Sequence, residues 1–227
     1  MVNALEYWLQ QGMMALAPNL DWMVWNTFLA LVPLGLSGWL FMAGRRWLPT
    51  GPWRSLLWWL GLVTFIVFLP NAPYVLTDVI HLVNDIRWGY SIWVISLVLV
   101  PAYLLFMAIG FGAYVLSVIR LGRYLHRWWG AQTVVAVEII IHGLCAVGIY
   151  LGRFRRFNSW DLLTQPDAVV RTTIAHLMDQ RPLVIVIATF AVITSLYWLC
   201  KQITLALAWY WPNRQQWAWQ APRQLPG

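Results

Sequence analysis

Five long apolar runs separated by short polar breaks organise the 227-residue chain. They read as helical spans at Trp22–Ala43, Trp53–Leu69, Tyr90–Ile119, Gln132–Leu151 and Leu183–Cys200, the last continuing toward Trp211. The third contains Pro101, an expected kink. A crossing helix needs about 20 apolar residues, and each run approaches that except the second. From Ser55 to Leu69 the second supplies about 22 Å of helix, short of a hydrocarbon core about 30 Å thick.

That short run ends in the stretch FLPNAPYVLTDVIHL, residues 68–82. Pro70 and Pro73 cannot both continue a regular helix, so a break is expected there, with a new helix starting near Pro73. On a helical wheel over residues 73–85, Tyr74, Asp78, His81 and Asp85 form one stripe, flanked by Thr77 and Asn84. Val75, Leu76, Val79, Ile80, Leu82 and Val83 take the other side. This predicts a short amphipathic helix folded back against the protein. A second unusual stretch, YLGRFRRFNSWDLL at residues 150–163, follows the fourth run. Asn158 or Ser159 suits a helix cap there, and Pro166 opens a further amphipathic surface helix ending near Asp179.

Composition decides what solvent these runs face. The chain is 61% hydrophobic and only 10% charged, against about 25% charged in a soluble domain. Its mean hydropathy is +0.63, and its 18 tryptophans fit the two headgroup levels of a bilayer. The fold class is therefore all-α integral membrane, with about five transmembrane helices, a broken second helix and amphipathic outer-face helices. Residues 1–21 read as an N-terminal interfacial segment, 22–211 as a single transmembrane domain and 212–227 as a tail. The start lacks a basic n-region and contains Glu6, unlike a cleaved signal peptide. The net charge of +7 does not indicate nucleic acid, because the arginines lie between apolar spans and form no basic domain. Cys145 and Cys200 both fall in apolar runs, so no disulfide framework is expected.

Both polar stretches follow even-numbered spans, so they share one side of the membrane. With the N-terminus outside, the inner segments hold nine Lys and Arg (45, 46, 54, 120, 123, 127, 201, 214 and 223) and the outer segments six (87, 153, 155, 156, 171 and 181). The positive-inside rule favours that orientation. Three of the outer six come from GRFRRF alone, which points to another task for those arginines.

The motifs LPNAPYVLTDVIH and GRFRRFNSWD resemble those of the bacterial membrane family known as domain of unknown function 1361, over about residues 25–205. The resemblance implies an all-helical integral protein of a bacterial plasma membrane and brings no established activity with it.

Asp78 and His81, spaced i, i+3, can face together and serve as an acid–base pair, contribute to a metal site, or simply hydrogen-bond their neighbours. Arg153, Arg155 and Arg156, with Asn158, Trp160 and Asp161, suit an anionic oxygen cluster, because guanidinium forks bind phosphate and carboxylate in two-pronged fashion. A lipid phosphate is the obvious candidate. An internal Arg153–Asp78 or Arg155–Asp161 pair is the other reading. Glu138 and His142, with Cys145, share one face of the fourth run at membrane depth, where ionisable groups count as functional candidates. The residues together predict an outer-face site of Asn71, Tyr74, Thr77, Asp78, His81 and the 153–161 stretch for an anionic, phosphate-bearing or lipid-linked ligand. A structural or assembly subunit is the alternative, and a small transporter the third reading. No residue pattern fixes a cofactor, a metal or a protein partner, and neither rhomboid-like G-x-S-G nor H-E-x-x-H is present.

Overall fold

The computed structural model describes residues 4–43, 52–157 and 180–219, together with 164, 167–169, 171 and 173. Among these residues every regular element is a helix. Helix α1 runs Ala4–Ser37 and passes into a π-helical turn, Gly38–Ala43. Helix α2 is Pro52–Phe68. After a turn at Leu69–Pro70 come α3, Asn71–Tyr74, a 3-10 turn at Val75–Asp78, and α4, Val79–Arg87. Helix α5, Ile92–Val94, continues through a π-helical stretch, Ile95–Leu99, into α6, Val100–Arg155. Helix α7 is Gln180–Trp219.

Four helices are long and apolar enough to cross a membrane: Gln10–Met42, Leu56–Arg87, Ile92–Arg155 and Gln180–Tyr210. Charge scarcity explains their length, since little in these runs prefers water to lipid. Helix α1 begins well before Trp22 and carries Pro18 and Pro33 within it. The π-helical stretch just ahead of Pro101 takes up the misfit at that proline.

The 64-residue stretch Ile92–Arg155 is not one rod. Gly130 has φ 76° and ψ −177°, a conformation open essentially to glycine alone. A straight helix would separate residues 114 and 142 by about 42 Å, yet the Tyr114 hydroxyl hydrogen-bonds His142 Nδ1. A methyl group on Gly122 would stand 3.1 Å from Val134. The chain therefore doubles back at Gly130 into a hairpin of two arms. Exposed Trp128 and Trp129 sit beside its bend.

Helix α1 packs on both α2 and α6, and α7 packs on α6. The main core joins Phe65 and Leu69 of α2, Ala72 and Val75 of the short segment, and Leu99, Tyr103, Tyr114 and Val118 of the first arm. A second cluster joins Ala146, Tyr150 and Leu151 to Val169 and Val186. Close approach is enforced by glycine at two places. A methyl group on Gly110 would lie 2.6 Å from Val75, and one on Gly148 would lie 2.9 Å from Pro70. These contacts fix where the Asn71–Arg87 segment rests on the hairpin.

Candidate functional site

From Asp78 to Ile86 the short segment turns its carboxylates inward and leaves large aliphatic side chains outward. Asp78 is 1% exposed, whereas Val79, Ile80 and Ile86 are all more than 40% exposed. In water this helix would be inside out; beside lipid tails it is not. The stripe on the helical wheel is real as a face, and helices α1 and α6 receive it.

Asp78 has both oxygens engaged. Arg153 Nη2, from the end of the second arm, reaches Oδ1 at 3.1 Å, and Asn26 of α1 donates to Oδ2 at 3.1 Å. The same Arg153 nitrogen also donates to the Thr77 carbonyl, while Nη1 meets the Tyr74 hydroxyl at 3.4 Å and the guanidinium lies over the Tyr74 ring. Thr77 Oγ1 donates to the Tyr74 carbonyl. His81 Nε2 stands 3.9 Å from Asp78 Oδ1, beyond hydrogen-bond length, and its ring rests on Trp22 with centroids 4.7 Å apart. One turn on, Asp85 accepts from Asn19 at 2.8 Å and from the Tyr103 hydroxyl at 3.0 Å. Helix α1 and both arms of α6 are thus tied to one short segment through two carboxylates.

Beside this knot opens a cavity of about 650 Å³. Asn26, Asn71, Tyr74 and Arg156 give it polar walls, and Trp25, Leu29, Val67 and Phe68 give it apolar ones. Asn71 turns its amide back to the Phe68 carbonyl at 2.9 Å. Arg156 follows the end of α6 with φ 57° and ψ 28°, the left-handed conformation. Glycine is the usual residue at such a helix end. Among the described residues, Arg155 and Arg156 are exposed and no carboxylate lies within ion-pair distance of either. Asn158, Trp160 and Asp161 lie outside the described residues, as does most of the surface helix expected after Pro166.

A second polar cluster occupies the interior between the hairpin and α7. Glu138 accepts from Lys201 Nζ at 2.6 and 2.8 Å and from the Tyr197 hydroxyl at 2.7 Å. The His142 ring meets that of Tyr197 at a tilt of 59° with centroids 4.6 Å apart, and His142 bonds Tyr114. Lys201, counted by sequence among the inner cations just past Cys200, lies mid-helix in α7, within the continuation toward Trp211. Both cysteines are free thiols. Among the described residues no three His, Cys, Asp or Glu side chains converge as a metal site requires.

The structure brings Asp78, His81, Tyr74, Thr77, Asn71 and the two arginines 153 and 156 to one end of the bundle. It adds Asn19, Asn26, Trp22 and Tyr103 there, and Tyr197 and Lys201 in the second cluster, all of which sequence reasoning missed. The i, i+3, i+7 spacing of Asn19, Trp22 and Asn26 was the available signal.

The family model described as "Protein of unknown function (DUF1361)" matches residues 25–195. The chain belongs to this family. The DUF1361 match takes in both arms of the hairpin, the segment after Pro70 and the C-terminal part of α1, and so all the residues that tie the site together except Asn19 and Trp22 on α1; Lys201 and Tyr197 of the second cluster also lie outside it. No curated protein and no solved structure matches the chain.

Proposed function

We propose that this DUF1361 protein crosses a bacterial plasma membrane five times, N-terminus outside, and binds an anionic, phosphate-bearing or lipid-linked group at its outer end. The observation that carries this reading is Arg156. It lines a 650 Å³ cavity, faces no carboxylate among the described residues, and occupies a left-handed position where an arginine costs about 1–2 kcal/mol more than glycine. A guanidinium kept there against its backbone preference has a task for its charge. Arg153 has a different one, because its charge is already met by Asp78. Asn71, Tyr74 and Asn26 supply hydrogen-bonding partners beside Arg156. Arg155, Asn158, Trp160 and Asp161 belong to the same proposed site by sequence.

In the enzyme version, the Asp78–His81 pair acts as base on the bound group. The His81 side chain is 40% exposed but does not line the cavity, so this version needs a ligand that extends from the cavity to the face of α4. The second reading, a structural or assembly subunit, draws on the saturation of Asp78 and Arg153 by the protein's own groups.

The deciding experiment is native mass spectrometry of gently extracted wild type and Arg156→Ala. A stoichiometric phosphorus-bearing mass on the wild type alone supports the binding reading. A bare chain in both samples, or one recovered only with another protein, overturns it in favour of the subunit reading.

A further inference from the structure

The cavity carries its polar side chains at one end only, and its lining along α6, the α2–α3 stretch and α1 runs from there to apolar residues. Moving away from Arg156 along the second arm of α6, the lining passes through Gly152 and Leu151 to Gly148, a drop of about 12 Å over eight residues. From Asn71 at the start of α3 back across the Leu69–Pro70 turn to Val67 of α2, it goes from amide to aliphatic. Along α1, running the other way, it goes from Asn26 to Leu29. The polar groups gather at the Arg156 end, with Trp25 and Phe157 beside them, and from there inward the lining is Leu29, Val67, Leu151 and Gly148 with no further polar side chain. Two of the cavity's lining residues, Pro70 and Gly148, touch closely enough to leave no room for a methyl group between them. The side wall is not closed in the same way: Trp25, at the cavity's rim, is 58% exposed and faces outward with Phe28 at 56%, aromatic rings that sit against lipid in a membrane-spanning helix.

We infer that the occupant is an amphiphile resident in the bilayer, with its anionic head at Arg156 and the start of its hydrocarbon chain against Leu29, Val67 and Phe68, and not a water-soluble phosphate ester. This rests on the anion-binding reading above and narrows it. A soluble phosphate would use the Arg156, Asn71 and Tyr74 end and leave the apolar end of the cavity with nothing to hold. A glycerophospholipid or another phosphate-headed lipid uses both ends. It reaches the site sideways from the leaflet past Trp25, where its local concentration is far above that of any solute.

The test uses the full chain, purified and delipidated in a nonionic detergent. Three probes are offered: dioleoyl phosphatidylglycerol, dioleoyl phosphatidylcholine and sn-glycerol 3-phosphate. Occupancy is read by native mass spectrometry. The expected result is one phosphatidylglycerol per chain, not displaced by excess glycerol 3-phosphate, with phosphatidylcholine bound more weakly. Val67→Trp, which fills the apolar end, and Leu29→Trp, an independent way of filling it, each lower occupancy about tenfold, the equivalent of one good contact. Arg156→Gln lowers it as much. Displacement by glycerol 3-phosphate, together with unchanged binding in both tryptophan variants, overturns the lipid inference and leaves the anion site standing. Phosphatidylglycerol occupancy indifferent to Arg156→Gln removes the anion site itself, and the inference with it.

Discussion

Two arginines three residues apart do different work, and stability separates them. Arg153 is 22% exposed and serves an Asp78 that is 1% exposed. Removing one partner of such a pair leaves a buried charge and costs about 3–5 kcal/mol. Arg153→Ala is therefore expected to lower the unfolding free energy in detergent by that order. Arg156→Gly removes the other charge but relieves a left-handed residue, so stability is expected to hold or rise by about 1 kcal/mol while anion binding falls. Thermal unfolding of both variants with a binding assay checks the pair; a destabilised Arg156→Gly would make Arg156 a structural residue. At this scale much of the site was legible. Asp78, His81 and Arg153 stand out because an apolar chain gives no ordinary reason for them, and an Arg153–Asp78 pair was one of the readings open. Asn26, Asn19 and Tyr103 were not legible, because which distant helix meets a given carboxylate is a property of packing and leaves no local pattern.

Between residue and fold, the hairpin places the segment that carries Asp78. Gly110 lies under Val75, whose side chain a methyl group would overlap at 2.6 Å, whereas nothing lies within 4 Å of a methyl on Gly112. Gly110→Ala should then displace the 3-10 turn and cost about 1–3 kcal/mol. Gly112→Ala, two residues on, should be neutral or gain up to about 1 kcal/mol from helix propensity. Equal effects in the two unfolding curves would mean that the turn does not rest on this helix as described. The Glu138–Lys201 pair makes a similar case for α7. Glu138→Gln and Lys201→Met singly should each cost about 3–5 kcal/mol, and the double variant should cost clearly less than their sum. An additive cycle would show the two groups to be independent. Periodicity found the Tyr74–Asp85 stripe and the Glu138–His142 face, and membrane depth pointed the second inward, but neither named the helices that receive them. Period states what shares a face, while the identity of the solvent decides whether polar faces turn in. The fold-back at Gly130 was predicted only as a gap between two apolar runs, because a single glycine carries no local mark of its φ.

For the molecule as a whole, the decisive quantity is which end faces which compartment. Charge favours the Gly130 bend inside, since Arg120, Arg123 and Arg127 lie just before it and inner segments carry the excess of Lys and Arg. Arg120 itself is taken up within the fold, donating to the Leu34 carbonyl at 3.0 Å and to Ser37 at 3.2 Å where α1 changes to π pitch. The cations left for the interface are therefore fewer than the sequence count implies, and labelling gives a stronger test than counting. Trp88 is 82% exposed at the end of α4, and Trp128 is 68% exposed at the bend. With Cys145 and Cys200 replaced by alanine, Trp88→Cys should react with a membrane-impermeant maleimide on intact cells. Trp128→Cys should react only after permeabilisation. The reverse pattern would turn the molecule over and put the Arg156 cavity on the inner leaflet. Labelling at both positions would mean that the first arm of α6 does not cross, leaving the polar inward face of α4 without the lipid surroundings that explain it.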